Sequence, residues 1–197
     1  IMGPFSFIPF MQCYHGILSM DHGIDGRLEI NDENIDFTKG RGYIEKDWGR
    51  SFPSAYVWMQ TNHFSQPGIS LKTSVANIPW LGRSFVGFIA GLYFDNQLIE
   101  FTTYNRSSLV RLHADDEEVE LVLVNKKYRL EVKVKRAKAT ELASPIQGFM
   151  DGRISESMRS QAEVKLMDIQ SGKTVFDDKS ENVALELAGN LSEILTQ

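Results

Sequence analysis

From Phe5 to about Lys179 the apolar residues recur at every second position in short runs, a period that sends alternate side chains to opposite faces of an extended strand. Runs at 5–21, 26–30, 42–48, 55–64, 69–78, 84–94 and 97–105 read as strands, as do 108–114, 118–125, 127–137, 146–154, 162–169 and 173–178. The separators DGR, NDEN, TKG, QPG, DN, NKK and SGK are hairpin and loop chemistry, so the pattern predicts an antiparallel meander. Only the tail SENVALELAGNLSEIL reads as helical, with Val183, Leu185, Leu187, Leu191 and Leu195 able to share a broad face. That predicts one C-terminal α-helix over about 181–195, started by Ser180 without a capping box because Val183 holds the third position.

A meander of about a dozen strands has exposed edges unless it curls or splits into a sandwich, and a closed barrel leaves room for a small ligand. In AYVWMQTNHF (55–64) one face carries Tyr56, Trp58, Gln60, Asn62 and Phe64, and the other Val57, Met59, Thr61 and His63. Amides beside large rings suit the lining of a partly polar cavity better than a sandwich core. The expectation is therefore an all-β closed barrel with the Tyr56 to Asn62 face turned inward. In GYIEKDW (42–48), Tyr43, Glu45 and Asp47 share one face, and Ile44, Lys46 and Trp48 the other. Residues 1–20 and 55–64 contain no Asp, Glu, Lys or Arg, so their outward faces are expected to be covered, by an absent N-terminal portion, the helix or a second copy of the chain.

Composition narrows the function without naming it. With 197 residues, 42% hydrophobic and 24% charged, one domain over 1–197 is expected, with residues 1–10 as a lead-in. A net charge of −5 argues against a nucleic-acid partner, and the basic run KKYRLEVKVKR at 126–136 alternates with apolar residues as the wet face of a strand does. No run reaches membrane-spanning length, and the opening IMGPFSFIPFM lacks the basic region of a signal peptide, so a soluble, cytoplasmic chain is expected. The single Cys13 lies in an apolar strand and reads as packing. His15, His22 and His63 have no paired spacing, so no metal is expected; His15 and His63 are the candidates for orienting a ligand hydroxyl.

Three stretches carry a resemblance. GPFSFIPFMQCYHGILSMDH at 3–22, GYIEKDWGRSFP at 42–53 and WMQTNHF at 58–64 resemble the tocopherol cyclase-like family, and the similarity runs on to ENVALELAGNL in the tail. The resemblance implies a lipocalin-like barrel, the second of two in a longer chain, and the closure of a chromanol ring from a prenylated quinol. That chemistry protonates a double bond, passes through a tertiary carbocation and captures it with the phenol oxygen. It needs a protonated carboxyl, rings near the cation and a dry pocket. Glu45 is the expected proton donor, with Asp47, His15 and His63 as further catalytic candidates. Tyr14, Tyr43, Trp48, Tyr56, Trp58, Gln60 and Asn62 are expected to line the ligand site, and no cofactor is required. The plant pattern GY-x-EKNWG-x-x-FP has an amide where this chain has Asp47, which puts a carboxylate pair in doubt, and Lys46 or Arg50 would spoil Glu45 by pairing with it. Binding of a lipid, quinone or isoprenoid without chemistry, and a barrel filled by its own side chains, are the alternatives.

Overall fold

Period-two alternation governs the computed structural model, which describes residues 1–196. The strands are β1 (Cys13–Ile24), β2 (Arg27–Ile30), β3 (Glu33–Asp36), β4 (Gly40–Gly49), β5 (Ala55–Thr61), β6 (Ser70–Trp80) and β7 (Arg83–Phe94). They continue as β8 (Gln97–Thr102), β9 (Ser108–Ala114), β10 (Glu118–Val124), β11 (Tyr128–Lys135), β12 (Thr140–Ile146), β13 (Phe149–Asp168) and β14 (Thr174–Gly189). Every ladder is antiparallel. β1 pairs with β4, and β2 with β3. The other ten strands form one sheet in the order β8-β7-β6-β5-β14-β13-β11-β10-β9, with β12 added on β13.

Alternation also fixes which face is dry. Val57, Val75 and Phe88 align across β5, β6 and β7, and Leu112, Leu121, Val132 and Val164 align across β9, β10, β11 and β13. All belong to one buried cluster, which also takes in Leu185 and Ile194. Strands from both ends of the sheet share this cluster, so the sheet curls around it. Asn125 donates to the Glu100 carbonyl at 3.1 Å, bringing the end of β10 to the edge strand β8. Among the described residues no ladder joins β8 to β9. On the opposite face, strands β9 to β11 carry charge, as the alternation predicts: Lys133 reaches Glu118 at 3.0 Å and Glu120 at 3.3 Å across the ladder.

The structure corrects the tail. Residues 181–189 continue β14 instead of forming a helix, and only Leu191–Glu193 make a short 3-10 turn. Val183, Leu185 and Leu187 alternate with Ala184, Glu186 and Ala188, and the free edge of β5 supplies backbone partners from Ala55 to Gln60. That pairing overrides a weak helical preference. Register shifts around Ser157, Ser160 and Ala162 bend the twenty-residue β13, where the sequence suggested two separate strands. At the other end β1 starts at Cys13, and Gly3–Phe7 form a 3-10 turn.

Gly189 closes β14 in the left-handed region at φ 72°, where a Cβ would stand 1.7 Å from the Ser54 carbonyl oxygen. Gly189→Ala is expected to cost about 3 kcal/mol from backbone strain plus overpacking, read as a lower urea midpoint at unchanged slope.

Candidate functional site

A cavity of about 190 Å³ lies between the outer face of the large sheet and the β1–β4 hairpin. Its floor is the face of β5, β6, β7 and β14 that points away from the aliphatic core, contributing Tyr56, Trp58, Ser74, Ala76 and Glu186. Its roof contributes Cys13, His15, Glu45 and Asp47. The Tyr56 and Trp58 face lines this cavity on the outer side of the sheet, not turned inward: the inward face is filled by Val57, Met59 and their neighbours.

Side-chain chemistry changes along the floor. Gln60 is opposite Lys72 and Trp58 opposite Ser74, then Tyr56 opposite Ala76, and beyond them come Ile78, paired with Phe85, and Trp80. Polar rows therefore give way to apolar ones. Phe5 closes the apolar end, edge-on to Trp80 at 5.7 Å and 6.1 Å from Phe85.

Glu45 sits where roof and floor meet. Its Oε1 accepts from Trp58 Nε1 at 2.8 Å and its Oε2 from the Tyr43 hydroxyl. His15 lies between the two roof carboxylates, because the β1–β4 register sets it opposite Asp47, two residues from Glu45. Its Nδ1 is hydrogen-bonded to Asp47 Oδ1 and its Nε2 is 3.5 Å from Glu45 Oε2. Among the described residues neither Lys46 nor Arg50 pairs with Glu45. Ligand atoms of His15, Glu45 and Asp47 all fall within 4.8 Å of one another, so this trio is where a cation would be held.

Five groups around the cavity have shifted protonation. Burial, reinforced by Asp47, pushes the Cys13 thiol up to about 12, which leaves it uncharged. Burial raises the Glu186 carboxyl to about 7; the hydroxyl of Tyr56, donating to Oε2 at 3.1 Å, opposes the rise, and the charges of Glu156, Asp47 and Glu45 add to it. Lys72 is fully buried, with no hydrogen-bond partner on Nζ among the described residues, and loss of hydration lowers it to about 8 against the pull of Glu45 and Asp47. Burial drives the hydroxyls of Tyr43 and Tyr56 well above the ordinary tyrosine range, with Glu45 and Glu186 respectively adding to the effect.

The other expected site residues are more dispersed. Tyr14 and Trp48 stack at 5.6 Å on the opposite face of the hairpin, where Trp48 is 49% exposed. Gln60 lies one row beyond Trp58 on the floor face, with an unpartnered Nε2. Asn62 and His63 follow the end of β5; His63 is exposed and its Nδ1 is 3.4 Å from Asn182, so it takes no part in the Glu45 cluster. Glu186 and Lys72 escaped the sequence reading. The helical reading of the tail hid Glu186, whereas Lys72 had a signal, a lone cation in the apolar run ISLKTSVANI.

The family model described as tocopherol cyclase-like matches residues 2–189. The chain belongs to that family. Among curated proteins it is 26% identical over 199 residues to the chloroplastic tocopherol cyclase of Zea mays and 25% identical over 207 residues to a probable tocopherol cyclase of Oryza sativa subsp. japonica. Each comparison covers 92% of this chain and 40% of the relative, so the chain spans well under half of the length of these family members. Among solved structures it is similar to kievitone hydratase from Nectria haematococca, with a TM-score of 0.50 and 11% identity over 91% of this chain and 54% of that one. That likeness concerns the fold alone.

Proposed function

We propose that this tocopherol cyclase-like protein closes an oxygen ring on a prenylated hydroquinone by proton-initiated addition. Glu45 gives its proton to the ring-side CH carbon of the tail's nearest double bond, leaving a tertiary cation on the methyl-bearing carbon. The phenol oxygen forms the new C–O bond, and His15, oriented by Asp47, takes the phenolic proton at Nε2. Substrate and product are isomers. The 3.5 Å between His15 Nε2 and Glu45 Oε2 lets that proton return to the acid, so the cycle closes without a cofactor, and this geometry is the observation that carries the reading. The rings of Tyr56 and Trp58 lie at the wall where positive charge develops. The volume suits one substituted ring, since an engineered cavity of roughly 150 Å³ admits benzene, and the tail lies along the Ile78 and Phe85 end. In the same reading residues 1–197 form one domain whose curled sheet is a lipocalin-like barrel. The exposed Leu18, Ile44 and Trp48 side of the hairpin is then the face that the remainder of a longer protein, or a second copy, covers.

Glu45 with both oxygens engaged favours a second reading, binding of a quinone or isoprenoid without turnover. Incubation with a prenylated hydroquinone under nitrogen, followed by chromatography, separates the two. A product of unchanged mass that has lost one hydroxyl and one double bond is expected. Tight binding with no isomer after many hours leaves only the binding role.

A further inference from the structure

The Glu186 carboxyl and the Tyr56 hydroxyl take no step in the ring closure above, yet both residues line the same cavity. The two meet because Glu186 pairs with Trp58 across the β14–β5 ladder, two residue pairs from Tyr56 opposite Ala188 and so on the same face. The pair's hydrogen bond is to Oε2. Among the described residues Oε1 makes none and remains for a ligand.

We propose that Glu186 and Tyr56 form a second oxygen-recognition subsite, which holds the far oxygen of a benzoquinol or benzoquinone head group while the near oxygen lies at His15 and Glu45. This rests on the ring-closure reading for its substrate class. Two polar stations in a cavity of otherwise mostly apolar walls suit a ring with an oxygen at each end better than a monophenol, which would leave one station unpaired.

The subsite distinguishes the redox states of such a ring. A protonated carboxyl donates to a quinone carbonyl or to a hydroquinone hydroxyl alike, whereas a carboxylate only accepts and so pairs with the hydroxyl alone. Burial keeps Glu186 protonated up to about pH 7. Quinone binding is therefore present below that point and lost as pH rises through it, while hydroquinone binding persists. The charged or titratable groups that bear on Glu186 are Tyr56 from β5, Glu156 from β13, and Glu45 and Asp47 from β4. His15 and Cys13 of β1 and Lys72 of β6 complete the surroundings of the cavity and the Glu45 cluster.

The test is quenching of tryptophan fluorescence by a prenylated benzoquinone and by its hydroquinone, at pH 6 and pH 8.5 under nitrogen, on the full chain and on Glu186→Gln. The wild type is expected to bind the quinone about tenfold more weakly at the higher pH, the cost of one lost hydrogen bond, with the hydroquinone little changed. Glu186→Gln, whose amide donates at both pH values, is expected to hold the quinone with no such change. A wild-type quinone affinity that ignores pH overturns the subsite, as does a pH response that survives in Glu186→Gln. Binding of neither ring would remove the ring-closure reading as well, whereas ring closure combined with pH-independent quinone binding removes the subsite alone.

Discussion

Glu45→Gln is expected to lower ring closure by about a thousandfold while a prenylated hydroquinone still binds within about threefold of wild type. Gln keeps the shape and the one acceptor oxygen, but it has no acidic proton, and its NH2 must face either the Trp58 indole N–H or the Tyr43 hydroxyl. Asp47→Asn is the contrasting variant: an amide oxygen still accepts from His15 Nδ1, so a loss of about tenfold or less is expected. Comparing single-turnover rates with fluorescence-detected binding decides the matter. Unimpaired ring closure by Glu45→Gln would take the proton-donor role from Glu45 altogether.

Lys72→Met is expected to stabilise the fold by about 3 kcal/mol at pH 7, because a fully buried ammonium without a partner is replaced by a chain of similar length that needs no hydration. The pH dependence follows from the direction of the shift. Lys72 falls from 10.5 to about 8 in the folded protein, so between these values the unfolded chain binds the proton that the folded one has released, and stability rises with pH. Cys13 acts in the opposite sense: its thiol rises from 9.0 to about 12, so its contribution is complete below 9.0 and is lost above it. The gain from Lys72 is therefore visible between about pH 8 and 9 and is countered beyond. Urea unfolding at pH 7, 8 and 9 should show wild type gaining on Lys72→Met as pH rises, while loss of the Glu186 and Cys13 contributions lowers both curves alike. A variant less stable than wild type at pH 7 would mean that Glu45 and Asp47 hold the ammonium more strongly than dehydration penalises it.

Much of this site was legible in the chain. The alternation in GYIEKDW places Tyr43, Glu45 and Asp47 on one face, and the β1–β4 register keeps them there with His15. The alternation in AYVWMQTNHF likewise puts Tyr56 and Trp58 on one face, and that face borders the cavity. What alternation cannot supply is the side of the sheet on which a face ends up. Both faces of β5 are free of charge, so the choice rests on partners distant in sequence, Leu185 and Val75 on one side and the hairpin on the other. The tail failed for a related reason. VALELA satisfies both a two-residue and a broad helical period, and only the waiting edge of β5 decides between them. Rings near an acid suggest a pocket, but Tyr14 and Trp48 are directly opposite each other at even positions of the paired strands, which puts them together on the far side of the hairpin from His15, Glu45 and Asp47.

Neighbouring residues of β5 answer to different demands. Val57 and Met59 are fixed by the need for a filled interior, while Tyr56 and Trp58, one step away on the same backbone, line the cavity beneath the hairpin. Substitutions at the even positions are therefore expected to reshape the cavity while the odd positions go on holding the sheet together, a separation that leaves one scaffold open to more than one lining.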